Sequence, residues 1–149
     1  MKKRTTVKYR VTGRTIYIAE DDRARLELLL RRTSVLEPGQ APYLSALAGE
    51  LGRARVVPRS EMPADVVTMN SVVRLRDLET GEVETYTLVY PTEADIGLNR
   101  LTVLAPVGTA LIGYRAGAVV EWPVPAGVRR FRVEEVLFQP KAALAGSAP

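Results

Sequence analysis

The stretch from Arg100 to Trp122 restricts the possible folds more than any other, because it changes hydrophobic period twice. Leu101 to Leu104 is a short apolar run of strand type, and Pro106 and Gly108 interrupt it. Thr109, Ala110, Leu111 and Ile112 leave room for only a short helix, closed by Gly113. Gly117 permits another turn, and Ala118 to Trp122 reads as a strand again. A strand, a short helix and a strand joined by glycines cannot bury their apolar faces on one another alone. They need further strands to pack against.

The flanking chain supplies them. Thr15 to Ile18 is a β-branched and aromatic run that reads as an extended lead-in. Glu20, Asp21 and Asp22 then crowd a helix start, where unpaired N–H groups and the helix dipole favour negative charge. Arg31 and Arg32 suit the other end, so the first helix is predicted at about Glu20–Arg32. Pro38-Gly39 marks a turn. A second helix is predicted at about Pro42–Val56. In it Leu44, Leu47, Leu51 and Ala54 form a narrow seam of coiled-coil type. Two such helices make a hairpin only ~20 Å long.

After the linker between Pro58 and Pro63 the period becomes two. Ser71–Leu78 and Glu84–Tyr90 are predicted as partner strands, with Gly81 in the turn between them. Thr92 to Asn99 is a polar loop. Pro125-Ala126-Gly127 makes a second hairpin turn, and Arg129–Phe138 is the last strand. Asn70 and Ser71 are expected to bond the local backbone. Tyr114-Arg115 is expected in a solvated surface turn, and Trp122 in hairpin or core packing. The predicted fold class is α+β: a short N-terminal antiparallel helical hairpin, then an antiparallel sheet with one short helix. The predicted divisions are a basic arm 1–14, a hairpin 15–57, a sheet domain 64–140 and a frayed tail 141–149.

Composition narrows the chemistry. The chain of 149 residues has no cysteine and no histidine, which removes thiolate metal sites and the commonest general base. No apolar run approaches the ~20 residues of a membrane span, and no signal-peptide core follows the basic start, so a cytoplasmic protein is expected. The net charge of +4 is unevenly placed. Residues 1–18 contain Lys2, Lys3, Arg4, Lys8, Arg10 and Arg14 with no acid, and the remainder carries 15 basic and 17 acidic residues. The body is therefore close to neutral. The arm is either a solubilising terminus or a contact for nucleic-acid phosphate.

Several segments carry a family resemblance. Ala105-Pro106-x-Gly-x-Ala-Leu-Ile-Gly113, with Gly117 beyond it, resembles the signature of the bacterial Gre transcript-cleavage factors. Met62-Pro63-x-Asp65-Val66-Val67-Thr68-Met69-Asn70-Ser71, Thr87-Leu88-Val89-Tyr90-Pro91, Val124-Pro125-x-Gly127 and Phe138-Gln139-Pro140 resemble the branch of regulators of nucleoside diphosphate kinase within that family. The resemblance spans about residues 15–142. It implies an FKBP-like C-terminal domain and RNA polymerase as partner, docked at the rim of the secondary channel. The implied docking residues are Leu104, Ala105 and Pro106, with Tyr114 and Arg115 as further candidates. Gre factors usually place an Asp or Asn and then a Ser before that proline. Leu104 and Ala105 replace that pair with apolar side chains.

The resemblance also poses a test of chemistry. Transcript cleavage needs two carboxylates at the hairpin tip to help hold a second Mg²⁺. The tip here offers Leu36, Glu37 and Gln40, and Glu37 is the only acidic residue between Glu27 and Glu50. One carboxylate on a short arm predicts no cleavage. No other catalytic set is visible. Gly108 to Gly113 has Walker spacing but is followed by Tyr114-Arg115, and Glu134 and Glu135, adjacent on a strand, are expected on opposite faces. No catalytic residue, metal, cofactor, small-molecule substrate or membrane partner is expected. The reading is a non-catalytic regulator bound to RNA polymerase. The alternatives are a DNA- or RNA-binding module acting through the arm, and an FKBP-like prolyl isomerase lined by aromatics such as Tyr86, Tyr90 and Phe131.

Overall fold

The computed structural model describes residues 16–33, 41–124 and 126–140. The basic arm with Lys2, Lys3, Arg4, Lys8, Arg10 and Arg14, the tip with Leu36, Glu37 and Gln40, and the tail 141–149 lie outside the described residues. Strand β1, Tyr17–Ala19, runs directly into helix α1, Glu20–Thr33. Its first turn holds the three acids and its last turn the two arginines, as helix electrostatics favours. Helix α2 is Ala41–Arg53. It ends three residues before the predicted boundary because Arg55–Val57 is a strand, β2, paired parallel to β1 with Ile18 opposite Val56. Val56 and Val57 are β-branched, and Pro58 follows them, so extended backbone wins over helix there.

The main sheet has five strands in the order β5-β4-β3-β7-β6. They are β3 (Val72–Asp77), β4 (Val83–Val89), β5 (Arg100–Thr102), β6 (Val119–Val124) and β7 (Gly127–Phe138). β3 pairs antiparallel with β4 and β7, and β6 antiparallel with β7. The expected all-antiparallel sheet needs one correction, since β4 and β5 are parallel, with Leu88 opposite Leu101. Residues 90–99 carry the chain back alongside Thr87 of β4 through two 3₁₀ turns, so β5 sets off in the same direction. The short helix, α3, is Pro106–Leu111 and starts earlier than predicted. Pro106 sits in its first turn, where a missing N–H costs nothing.

Alternation along β3 puts Val73, Leu75 and Asp77 inside. With Leu88, Leu101, Val120 and Val133 they line the buried face of the sheet, and Ala110 and Leu111 of α3 join the same cluster. Ile16, Ile18, Leu26, Leu47 and Leu51 belong to it too. The leucine seam of α2 therefore serves the core of the whole molecule and not a helical pair alone. Each such buried side chain is worth roughly 1.5–3 kcal/mol, so neither segment is independent of the other.

One further expectation is overturned on β7. Glu134 and Glu135 were expected on opposite faces, but the β3–β7 register shifts between Arg74 and Leu75. The resulting bulge lets Glu135 pair with Arg74 at 2.9 Å and Glu134 with Arg76 at 3.1 Å. Arg74 and Arg76 alternate to one face, so both glutamates serve it. Among the described residues no helix is long and apolar enough to cross a membrane.

Candidate functional site

The loop between β5 and α3 is pinned from several directions. The Leu104 N–H donates to Thr102 Oγ1 at 3.1 Å and the Ala105 N–H to the Thr102 carbonyl at 3.0 Å. The buried Thr109 hydroxyl donates to the Val103 carbonyl at 2.7 Å, and the Thr109 N–H to that of Ala105 at 2.9 Å. A Cβ built on Gly108 would lie 2.2 Å from the Thr102 carbonyl oxygen. Only glycine lets α3 rest this closely on the end of β5. Leu104, Ala105 and Pro106 are half-buried, and the first two pack against the core while keeping an outer surface. Ala105 caps α3 without a side-chain hydrogen bond. The surface they present is apolar and set in a rigid loop, with no carboxylate or hydroxyl to bond a partner.

The other two residues of the predicted surface lie beyond the far end of α3, about 9 Å of helix away. Tyr114 does not occupy the solvated turn expected for it. It is 2% exposed, part of the core, and accepts from Arg53 Nη2 at 2.8 Å while donating to Glu50 Oε1 at 3.2 Å. Burial, reinforced by the Glu50 charge, pushes its phenol up to about 12. Gly113, at φ +87°, turns the chain inward there because β1 crosses at that point. A Cβ on it would be 2.9 Å from Ile16 Cβ. Tyr114 therefore ties α2 to the α3 segment and presents no free surface. Arg115 stays half-exposed but is engaged. It grips Asp65 through two contacts of 3.0 and 3.2 Å and lies 5.8 Å from the Tyr17 ring centre. Leu104, Ala105 and Pro106 form one patch, and Tyr114 and Arg115 are not part of it.

A second cluster has no counterpart in the sequence reading. Asp22 is 5% exposed, and Arg59 Nη2 meets its Oδ1 at 2.7 Å. The Met69 N–H donates to Asp22 Oδ2 at 3.3 Å and the Tyr90 hydroxyl to Oδ1 at 3.4 Å. Arg59 also binds Asp21 at 3.1 Å and donates to the Pro140 carbonyl at 3.3 Å. Burial raises the Asp22 carboxyl above its usual range despite Arg59. Burial likewise raises the Tyr90 phenol, with the Asp22 charge adding to it. The guanidinium of Arg25 lies over the Tyr90 ring at 5.3 Å. This node joins α1, the 59–61 turn, the end of β4 and the end of β7. The only hint in the sequence was an arginine held between Pro58 and Pro63.

Ser71 bonds the local backbone as expected. Ser71 Oγ accepts the Thr68 N–H at 2.8 Å, and Asn70 takes a left-handed conformation at φ 65°. Tyr86, Tyr90 and Phe131 pack against the core.

Comparison with known proteins identifies related chains. The family described as "Transcription elongation factor, GreA/GreB, C-term" matches residues 62–138, and that described as "Rnk N-terminus" matches residues 14–57. The "Regulator of nucleoside diphosphate kinase" of Escherichia coli is 44% identical over 132 residues, covering 87% of this chain and 93% of that protein. "Transcription elongation factor GreA" of Clostridium botulinum is 39% identical over 90 residues, 60% of this chain and 56% of that protein. A solved "Prokaryotic transcription elongation factor GreA/GreB" from Nitrosomonas europaea superposes with a TM-score of 0.69 at 42% identity. That match covers 85% of this chain and all of the other.

Proposed function

The chain belongs to the GreA/GreB transcription-factor family, in the branch of regulators of nucleoside diphosphate kinase, and from that premise we propose that it is a non-catalytic regulator that binds RNA polymerase at the secondary channel. The observation that carries the non-catalytic part is the tip composition: Glu37 is the only acidic residue between Glu27 and Glu50. One carboxylate brings too few oxygens to share in holding a Mg²⁺ that prefers octahedral coordination. We read residues 15–57 as a short helical hairpin and 64–140 as an FKBP-like domain that docks through Leu104, Ala105 and Pro106. Support for the docking patch is its rigidity and its apolar character. A preorganised apolar loop loses little entropy on binding. Bound there, the protein would compete with longer-armed members of its family for the same entrance.

Two measurements test this reading. Purified protein added to a backtracked polymerase complex is expected to release no cleaved RNA, and cleavage that depends on Glu37 would refute the non-catalytic assignment. Core polymerase is expected to co-purify with wild type and not with Pro106→Asp. Equal recovery of the two would remove the docking patch.

A second reading concerns the arm. Six basic residues without an acid in residues 1–18 favour a phosphate contact with DNA or RNA. Removal of residues 1–14 is then expected to abolish salt-sensitive nucleic-acid binding and leave polymerase binding in place.

A further inference from the structure

The outer edge of the sheet beside β5 has features that the docking patch does not use. Residues 91–98 run along that edge as two successive 3₁₀ turns, on the side of β5 away from β4. The second turn is closed at its base. Asp95 and Arg100 exchange backbone hydrogen bonds of 3.0 and 2.9 Å. The Asp95 carboxylate accepts the Gly97 N–H at 3.1 Å, and Asn99, left-handed at φ 56°, donates from its amide to the Thr85 carbonyl at 2.9 Å. The turn so held presents Ile96 at 79% exposure and Leu98 at 61%, the two most exposed large apolar residues among those described. Exposing two such side chains on a preformed turn costs solubility and contributes nothing to the core.

Charge along the chain leading into the turn is one-sided, with the exposed Arg100 that closes the turn as its first cation. From Asp77 to Asn99 the chain has six acidic residues and no Lys or Arg, although its net charge is +4. Asp77 is paired with Arg129. Glu84, Glu93 and Asp95 have no ion pair among the described residues. An apolar pair preceded in the chain by Glu93 and Asp95, neither in an ion pair among the described residues, fits a surface that is apolar at its centre and cationic around it. Along the chain the edge leads through β5 into the docking patch. Leu98 and Leu104 flank β5, and the six residue steps between them span at most about 20 Å. The whole edge can therefore face one partner.

We infer that Ile96 and Leu98, together with Glu84 and Glu93, form a second contact with RNA polymerase, received by a cationic surface with an apolar recess. The inference rests on the polymerase-binding reading above and extends its footprint along β5. It is tested by measuring association and dissociation of the full-length chain with immobilised core polymerase, for wild type, the double variant I96D/L98D, the double variant E84Q/E93Q, and Pro106→Asp. All four altered edge residues are exposed, so melting temperatures are expected to stay within a degree or two of wild type. I96D/L98D is expected to bind at least tenfold more weakly, through faster dissociation, because two anchor side chains are lost. E84Q/E93Q is expected to associate several-fold more slowly, with dissociation little changed and a shallower salt dependence. If I96D/L98D binds as tightly as wild type while Pro106→Asp does not bind, the second contact is refuted and the docking reading stands. If wild type itself fails to bind, the docking reading falls. Sedimentation velocity covers the remaining occupant: self-association of wild type that I96D/L98D abolishes would assign the edge to a second copy of the chain and overturn the inference.

Discussion

Three single residues carry consequences out of proportion to their size. Gly108 lies against β5, and its replacement by alanine places a methyl group 2.2 Å from a carbonyl oxygen. The loop must shift to admit it, at a cost of roughly 2–3 kcal/mol. Gly108→Ala is therefore expected to lower Tm by roughly 4–10 °C in a thermal melt. Asp22 illustrates the opposite risk, since its charge is tolerated inside only because Arg59 meets it. Arg59→Ala leaves a buried carboxylate without its partner and is expected to cost about 3–5 kcal/mol by urea denaturation. Asp22→Asn in the same background should recover a large part of that loss, and a cycle showing additive effects would contradict the pairing. Asp77 sets an acid limit. The Glu79 N–H first, then the Arg129 hydrogen bond and the Thr80 N–H, hold its carboxyl below the usual range against the opposing effect of burial. The folded state thus binds that proton more weakly than the unfolded chain. The stabilisation is present above about pH 3.9 and is lost as pH falls through the lower native value. Asp77→Asn is expected to be less stable at pH 7 and to lose less on acidification, as followed by circular dichroism.

Among the elements, α2 and α3 show how the two halves of the chain are joined. α2 is only 13 residues long, too short to persist in water alone. Its inner side supplies Leu47 and Leu51 to the common core, and Arg53 and Glu50 reach across to Tyr114. Tyr114→Phe keeps the ring packing and deletes both hydrogen bonds. It is expected to cost about 1–2 kcal/mol and to speed amide exchange in α2 more than in β3. Leu47→Ala opens a cavity in the shared core and is expected to cost about 2–5 kcal/mol, destabilising sheet and helices together in one transition. Separate transitions for the two would show that they do not share a core. The β7 bulge is a smaller device of the same order. By seating one extra residue it brings Glu134 and Glu135 to the same arginine-bearing face, where they form three ion pairs, with Arg74, Arg76 and Arg132.

At the scale of the whole molecule, the sheet and the helical segment are one cooperative body bearing an apolar edge. The rigid patch Leu104–Pro106 and the turn at Ile96 and Leu98 flank β5. Tyr114 and the Arg59 node lie inside and hold the helices to the sheet. On the proposed docking, function and stability rest on different residues. Changes at the edge are expected to alter partner binding with little change in Tm. Changes at Tyr114 or Arg59 are expected to lower Tm first. Melting curves set beside polymerase co-purification for the same variants would show whether the two properties divide in this way.

The sequence by itself determined the order and type of most elements, because each is encoded locally. The acidic start of α1, the glycine at the β3–β4 turn, the period-two alternation of β3 and the proline at the start of α3 all act within a few residues of themselves. It also carried the family, through motifs whose order and spacing survive without knowledge of contacts. Pairing between distant segments was not legible. The parallel match of β1 with β2, the parallel run of β5 beside β4 and the bulge on β7 depend on which edges are free once the rest has packed. Burial was equally hidden for Tyr114 and Asp22. A tyrosine after a glycine reads as a turn residue, and an aspartate at a helix start reads as a solvated cap. Each is drawn inside by partners about 60 and 40 residues away in sequence, Arg53 and Arg59 respectively, and only the assembled fold brings those partners within hydrogen-bonding reach.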